Sequence, residues 1–263
     1  MSRIITVANQ KGGCGKTTLV LNLGAALSRM GYNICLIDCD PQANMTMSLG
    51  CQQPDELPVT IPNLIQEIIS GGLKSDKKDF ILRSQNMDFI PSNIELSAAE
   101  NILLNSISRE NVLKKLLDVV KGDYDFILID TMPSLNFITI NALNASDSVL
   151  IPMQPQYFSA KGIELLMTTI RNVKEHLNRN LSIDGILMTM YDNRLNFHKE
   201  VVENIVENYG KYLKIFETKI PISIRVTETQ ARAQSIFDNG PTSKISESYT
   251  NFANEFLGGI HEK

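Results

Sequence analysis

Two lysines, Lys11 and Lys16, enclose three glycines and are followed by two threonines: Lys11-Gly12-Gly13-Cys14-Gly15-Lys16-Thr17-Thr18. Glycines let backbone amides approach an anion with no Cβ in the way. A lysine beside them supplies a compact cation, and the hydroxyl that follows is a hard oxygen ligand for Mg²⁺. Together they can cradle the phosphates of a nucleoside triphosphate. Lys16 is expected to reach the β and γ phosphates, Thr17 to ligate the metal, and the loop from Gly12 through Cys14 and Gly15 to Thr18 to hold phosphate oxygens. The loop needs a strand before it and a helix after it, because the helix N-terminus adds free N–H groups and a positive dipole end. Ile4-Ile5-Thr6-Val7-Ala8 is apolar and β-branched, and Leu19, Leu23, Ala26, Leu27 and Met30 recur at roughly helical spacing.

Two apolar runs further along close on carboxylates. Asn33 to Asp38 reads as a second strand after Gly31, a helix stop, and continues into Asp38-Cys39-Asp40-Pro41-Gln42. Phe126-Ile127-Leu128-Ile129-Asp130 is another such run. Ligands of open α/β sheets sit outside the carboxyl ends of the strands, where these acids fall. Asp-Pro alone is an ordinary turn initiator. Beside a phosphate loop, Asp130 is expected to hold a Mg²⁺-bound water.

One detail departs from the general pattern G-x-x-x-x-G-K-[ST]. Gln10 stands where the first glycine belongs, and Lys11 opens the loop instead. In this the chain resembles the deviant P-loop ATPases, which include the ParA/Soj partition proteins and MinD and carry K-G-G-x-G-K-T. Further stretches resemble the same family: Asp38 to Gln42 (D-x-D-P-Q), Asp130 to Pro133 (D-x-x-P), Thr189 to Arg194 (T-M-Y-D-x-R) and Ile220 to Glu228 (I-P-x-x-x-R-[LV]-x-E). The likeness runs from Ile4 to about Leu257 and is closest to the short ParA/Soj proteins, which lack an N-terminal helix-turn-helix domain.

The resemblance implies Mg²⁺-dependent ATP hydrolysis for DNA partition. It implies that Lys11 crosses a homodimer interface to the partner's nucleotide in the ATP state, that Asp40 orients or polarises the attacking water, and that Asp38 supports the metal's water shell. A ParB-like partner that stimulates hydrolysis is also implied. Arg225 matches the family's DNA-contacting arginine and Arg194 matches it less closely, with Lys199, Arg232 and Lys244 as helpers. The loops after Met190 and Ile220 are expected to read the adenine. Two departures stand out: Gln156 where many members carry an acid, in a segment like E-Y-x-x-x-x-G, and Thr131-Met132 after Asp130.

The elements that must position these residues alternate. Strands and helices succeed one another to the end, which predicts a doubly wound, mostly parallel sheet flanked by helices, an α/β P-loop NTPase fold occupying 1–263 as one domain. Residues 51–80 read as a peripheral excursion with a short helix around Asn63 to Ser70; Phe89 to Ser92 and Lys214 to Phe216 read as short strands, and Ser243 to Leu257 as the last helix. The formal net charge of −4 excludes a global basic field, so DNA binding must come from a local patch, one that dimerisation could assemble. The four cysteines, Cys14, Cys35, Cys39 and Cys51, form no C-x-x-C pair and suit small buried residues in a reducing compartment. With neither a signal peptide nor an apolar run of ~20 residues, a cytoplasmic, nucleoid-associated protein is expected.

Three rival readings are weaker. A MinD-like membrane-surface positioning ATPase needs a basic amphipathic C-terminal helix, whereas the tail from Tyr249 carries Phe252, Phe256 and Leu257 with hardly any cations. A nitrogenase-type iron protein needs cysteines beyond Cys51, and there are none. A tyrosine-kinase relative would show a terminal tyrosine cluster, and Tyr249 stands alone.

Overall fold

The computed structural model describes residues 2–156, 159–238 and 240–261. Eight strands form one sheet: β1 (Arg3–Val7), β2 (Ile34–Cys39), β3 (Leu82–Ser84), β4 (Met87–Ile90), β5 (Phe126–Thr131), β6 (Ser148–Met153), β7 (Ser182–Tyr191) and β8 (Ile215–Pro221). Their order is β3-β4-β2-β5-β1-β6-β7-β8, parallel throughout except for the β3–β4 hairpin. Eleven α-helices are described: α1 (Lys16–Arg29), α2 (Asn44–Ser48), α3 (Ile61–Ile69), α4 (Lys77–Phe80), α5 (Leu96–Leu104), α6 (Val112–Val120), α7 (Phe137–Ala145), α8 (Ser159–His176), α9 (Asn196–Tyr209), α10 (Ile224–Ala231) and α11 (Lys244–His261).

The side-chain alternation of the strands sorts the core into two faces. Ile5, Val7, Leu36, Leu128 and Leu150 face α1 and α11, meeting Leu19, Leu23, Leu27, Phe252 and Phe256. Ile4, Cys35, Ile37, Ile127 and Ile129 face the opposite side and meet Leu64, Ile68, Leu113 and Leu116 of α3 and α6. Val149, Ile151, Ile186 and Met188 continue that side against α8. Both faces of the central strands are therefore buried, which is why they read as continuous apolar runs rather than alternating ones.

Chain order makes β1 the switch point. It lies between β5 and β6: the connection through α1 runs from β1 to β2 toward one edge of the sheet, and the connection through α7 runs from β5 past β1 to β6 toward the other. A crevice must open there at the carboxyl ends.

Several expectations are corrected. Residues 51–80 are not peripheral: Ile61, Leu64, Ile65 and Phe80 are core residues, because α3 is amphipathic and is started by a Thr60–Asn63 capping box. The short strand near Phe89 ends at Ile90. The strand expected over Lys214 to Phe216 extends to Pro221, since its backbone continues the ladder with β7, and the helices α7 and α10 are additional. The final helix, expected over Ser243 to Leu257, runs on to His261, and, in keeping with its few cations, Tyr249, Phe252 and Phe256 are buried against the sheet. Among the described residues no helix is long and apolar enough to cross a membrane.

Candidate active site

The glycine loop joins β1 to α1 at the switch point. Gly13 and Gly15 adopt φ of 71° and 85°, values for which only glycine escapes a Cβ penalty, and a Cβ at Gly13 would project into open space. The loop is braced from its surroundings. Thr189 of β7 donates to the Cys14 carbonyl (2.8 Å), Asn9 donates to the Pro152 carbonyl (2.7 Å), and the Lys11 amide donates back to the Asn9 side chain (3.0 Å). Thr131 at the end of β5 donates to the Val7 carbonyl (2.8 Å).

A cleft of about 600 Å³ opens over this loop. Gly12, Gly13, Gly15, Lys16, Thr17, Thr18 and Asp40 line it, as do Gln42, Met190, Thr227 and Gln230. Lys16 is almost wholly buried, its ammonium donating to the Lys11 carbonyl (3.2 Å). Cys14 lies buried behind the loop, where desolvation pushes its thiol up. Met190 and the middle of α10 reach the cleft wall, but the loops after Met190 and Ile220 that were expected to read the adenine, Tyr191 to Arg194 and Pro221 to Ser223, line a separate groove.

Lys11 takes a different direction and is absent from the lining. Its ammonium donates to the Gln156 side chain. The Gln156 amide donates to Gln154 (2.8 Å), which donates to the Gly13 carbonyl (2.7 Å). Tyr157 and Phe158, which follow Gln156 in the family-like segment, lie outside the described residues.

Three carboxylates converge beneath the cleft. Asp38 and Asp130 are register partners on β2 and β5 and are fully buried. Asp38 is fully engaged: Oδ2 accepts from the Thr46 amide (2.9 Å) and hydroxyl (2.7 Å), and Oδ1 from the Asp40 amide (3.1 Å). Burial pushes it up to about 6 despite those donors. Asp40 is nearly buried, with Oδ1 accepting from the Gln42 amide (2.9 Å).

Asp130 differs from both: among the described residues no donor meets full hydrogen-bond geometry on either of its oxygens, although the Thr17 hydroxyl is close enough to lower its proton affinity. Burial, and then the neighbouring Asp38 charge, raise it far above the carboxylate range; the Thr17 hydroxyl and Lys16 offset only part of this. An orphaned buried carboxylate beside a threonine hydroxyl and an open glycine cradle fits a phosphate-bound cation. Among the described residues no cluster of three or more His, Cys, Asp or Glu could hold a metal alone. Mg²⁺ bound largely by phosphate oxygens and waters meets that restriction.

The AAA domain family matches residues 2–183 of this chain. The sporulation initiation inhibitor protein Soj of Bacillus subtilis is 40% identical to it over 97% of this chain and 98% of its own length. The chromosome-partitioning ATPase Soj of Treponema pallidum is 37% identical over 98% of each. The chain belongs to the ParA/Soj family of partition ATPases. Its fold also matches a solved structure of cobyrinic acid a,c-diamide synthase from Mycobacterium smegmatis with bound ADP and magnesium, at a TM-score of 0.85 and 32% identity, over 99% of this chain and 96% of that one.

In this ParA/Soj-family chain, Arg194 and Arg225 line a second groove, of about 960 Å³, together with Lys219 and Lys244. Sequence reasoning missed Lys219, which lies within the extended part of β8 and stacks on the Tyr191 ring (5.2 Å). Lys199 and Arg232 are exposed but stand outside the groove lining. Arg194 holds Asp192 in a two-point ion pair (2.9 and 2.7 Å), which keeps the Asp192 carboxyl well below its ordinary range. The Arg225 guanidinium rests on Gly240, where a Cβ would lie 2.2 Å from Nη1.

Proposed function

We propose that this partition ATPase, acting as one domain over 1–263, binds DNA without sequence preference as an ATP-bound homodimer on the nucleoid. Hydrolysis, stimulated by a ParB-like partner, then releases it and so positions a plasmid, a chromosome origin or another cargo. Four cations gathered from the loop after β7 and from β8, α10 and α11 around one groove carry the DNA part of this reading. A chain with net charge −4 concentrates cations locally only against its average, and phosphate contacts need no base readout.

ATP with Mg²⁺ supplies the phosphoanhydride to be cleaved and the charge neutralisation around it. The chain's own residues do the positioning. Lys16 and the amides from Gly12 to Thr18 hold the β and γ phosphates, with the Cys14 amide among them. The Thr17 hydroxyl would ligate the metal, and Asp130 would hold it at one remove. Asp40 has one oxygen fixed by the Gln42 amide and keeps the other to accept a hydrogen bond from the attacking water. Asp38 acts at one remove, because its bonds to the Asp40 amide and to Thr46 fix the turn that carries Asp40.

Lys11 is the contact in trans. Two facing triphosphates need cations from both chains, so Lys11 leaves Gln156 and reaches the partner's nucleotide. Loss of the γ-phosphate removes much of that attraction, and the dimer loosens. A MinD-like membrane role is disfavoured, because the apolar side chains its anchor would expose are buried in the core.

The test uses Asp40→Ala protein, which holds ATP unhydrolysed, and a random-sequence duplex across a salt series. Tight, salt-steep binding in ATP and weak binding in ADP is expected. Equal, negligible binding in both would remove DNA as the surface, and a monomer on gel filtration in saturating ATP would remove the dimer.

A further inference from the structure

The nucleotide cleft and the cationic groove share two walls. Helix α10 presents Thr227, Gln230 and Ala231 to the cleft, and Ile224 and Arg225 to the groove. The end of β7 divides in the same way, with Met190 on the cleft and Tyr191 to Arg194 on the groove. Met190 holds φ at 51°, a left-handed value that is costly for a long side chain, at the point where the strand passes from one cavity to the other.

Helix α10 is lightly attached. Thr229 is its one fully buried residue, its hydroxyl bonding back to its own helix at the Arg225 and Val226 carbonyls, and Val226 is the one half-buried apolar side chain it packs on the core. A short helix with so little buried surface moves as a unit at small cost. Its link to the phosphate loop is the Gln230 amide, which donates to the Thr18 hydroxyl (3.2 Å). Thr18 directly follows Thr17 in the first turn of α1. Gln230 and Arg225 are five residues apart, about 7.5 Å along the helix axis.

We propose that α10 transmits the state of the nucleotide cleft to the cationic groove, with Gln230 as the positioning residue that makes the connection. This rests on the DNA-binding reading above. A nucleotide filling the cleft contacts the same wall as Gln230 and its Thr18 partner, so the register of α10 on the loop depends on the occupant. Because the helix is rigid over this span, that register is passed to Ile224 and Arg225. Reciprocity requires that DNA in the groove change nucleotide affinity by the same factor.

Duplex affinity is measured for the wild type, Gln230→Ala, Thr18→Val and Thr18→Ser, each saturated with a non-hydrolysable ATP analogue or with ADP, over a salt series. The wild type is expected to bind a random-sequence duplex roughly 5–150-fold more tightly with the ATP analogue. Gln230→Ala and Thr18→Val bring that ratio near one, while Thr18→Ser, which keeps the hydroxyl, retains it. The slope of log affinity against log salt stays unchanged in Gln230→Ala, since no cation is lost, whereas Arg225→Ala lowers it by about one. Melting curves with each nucleotide establish that the variants are folded and filled, and Thr18→Val substitutes for Gln230→Ala if the latter does not fold. A Gln230→Ala protein that keeps the wild-type ratio overturns the inference, and so does a wild type whose own ratio is near one. A wild type that binds no duplex in either nucleotide removes the DNA reading itself, and this inference with it.

Discussion

Replacing Asp130 by Asn is expected to stabilise the ligand-free protein and to weaken its stabilisation by magnesium and nucleotide. The Asp130 carboxyl is fully buried, both oxygens lack donors, and a second buried carboxyl, Asp38, is its register partner on the next strand. Burial first, and then Asp38, raise its proton affinity in the folded state. The folded protein therefore binds this proton more tightly than the unfolded chain does. The group's contribution to stability falls as pH rises above the unfolded carboxylate value of about 4. Asp38, pushed up to about 6 mainly by burial, has the same sign between its ordinary value and that pH. A buried polar group left unsatisfied costs about 1–3 kcal/mol, and a charged one more; Asp130→Asn keeps the first cost and removes the excess that the charge adds. Taking about 2 kcal/mol for Asp130→Asn, and roughly 2–4 °C per kcal/mol for a chain of this size, Tm in EDTA at pH 8 should rise by roughly 4–8 °C. The gain should shrink toward pH 5. A saturating ATP analogue with Mg²⁺ should then lift the wild type further than the variant, because a ligand stabilises in proportion to its differential affinity for the folded state. A variant that melts at or below the wild type in EDTA at pH 8 refutes the idea that Asp130 is an uncompensated buried acid awaiting a cation.

Two other perturbations probe the scaffold and the groove. At Gly185 φ is 149°, and a Cβ would lie 2.6 Å from the Lys214 carbonyl oxygen, so Gly185→Ala must push β7 from β8 and should cost about 1–3 kcal/mol; an unshifted urea midpoint would count against this. Asp192→Asn releases Arg194 from its two-point ion pair and removes a negative charge from the groove. Duplex affinity in the ATP state should rise and the salt slope should steepen by about one, and a weaker-binding variant would contradict the placement of Arg194 on the DNA.

The phosphate loop and the strand-end carboxylates were legible in the sequence because their information is local. A glycine loop between a β-branched strand and an amphipathic helix needs nothing distant to declare itself, and Asp38 and Asp130 each close an apolar run that only a buried parallel strand explains, with Asp40 two residues beyond the first. The helix α3 was legible too, as a short helix around Asn63 to Ser70, but the irregular residues on either side hid that its Thr60–Asn63 capping box starts a core helix rather than a peripheral one.

Tertiary structure alone decided what meets what. Gln154 brings β6 to the Gly13 carbonyl across 141 residues of chain, and Gln230 brings α10 to Thr18 across 212. No periodicity or spacing encodes such pairs, because glutamine is as common on a solvated surface as at a cavity wall. Tertiary packing also set the contrast between Asp38, whose oxygens are occupied, and Asp130, whose oxygens are bare, although the sequence presents both as acids closing apolar strands. The difference depends on whether the following turn folds back: α2 returns Thr46 to Asp38, while among the described residues the turn after β5 returns no donor to Asp130. The residue types alone show which groups can handle phosphate, and packing determined which of them was left unsatisfied to do so.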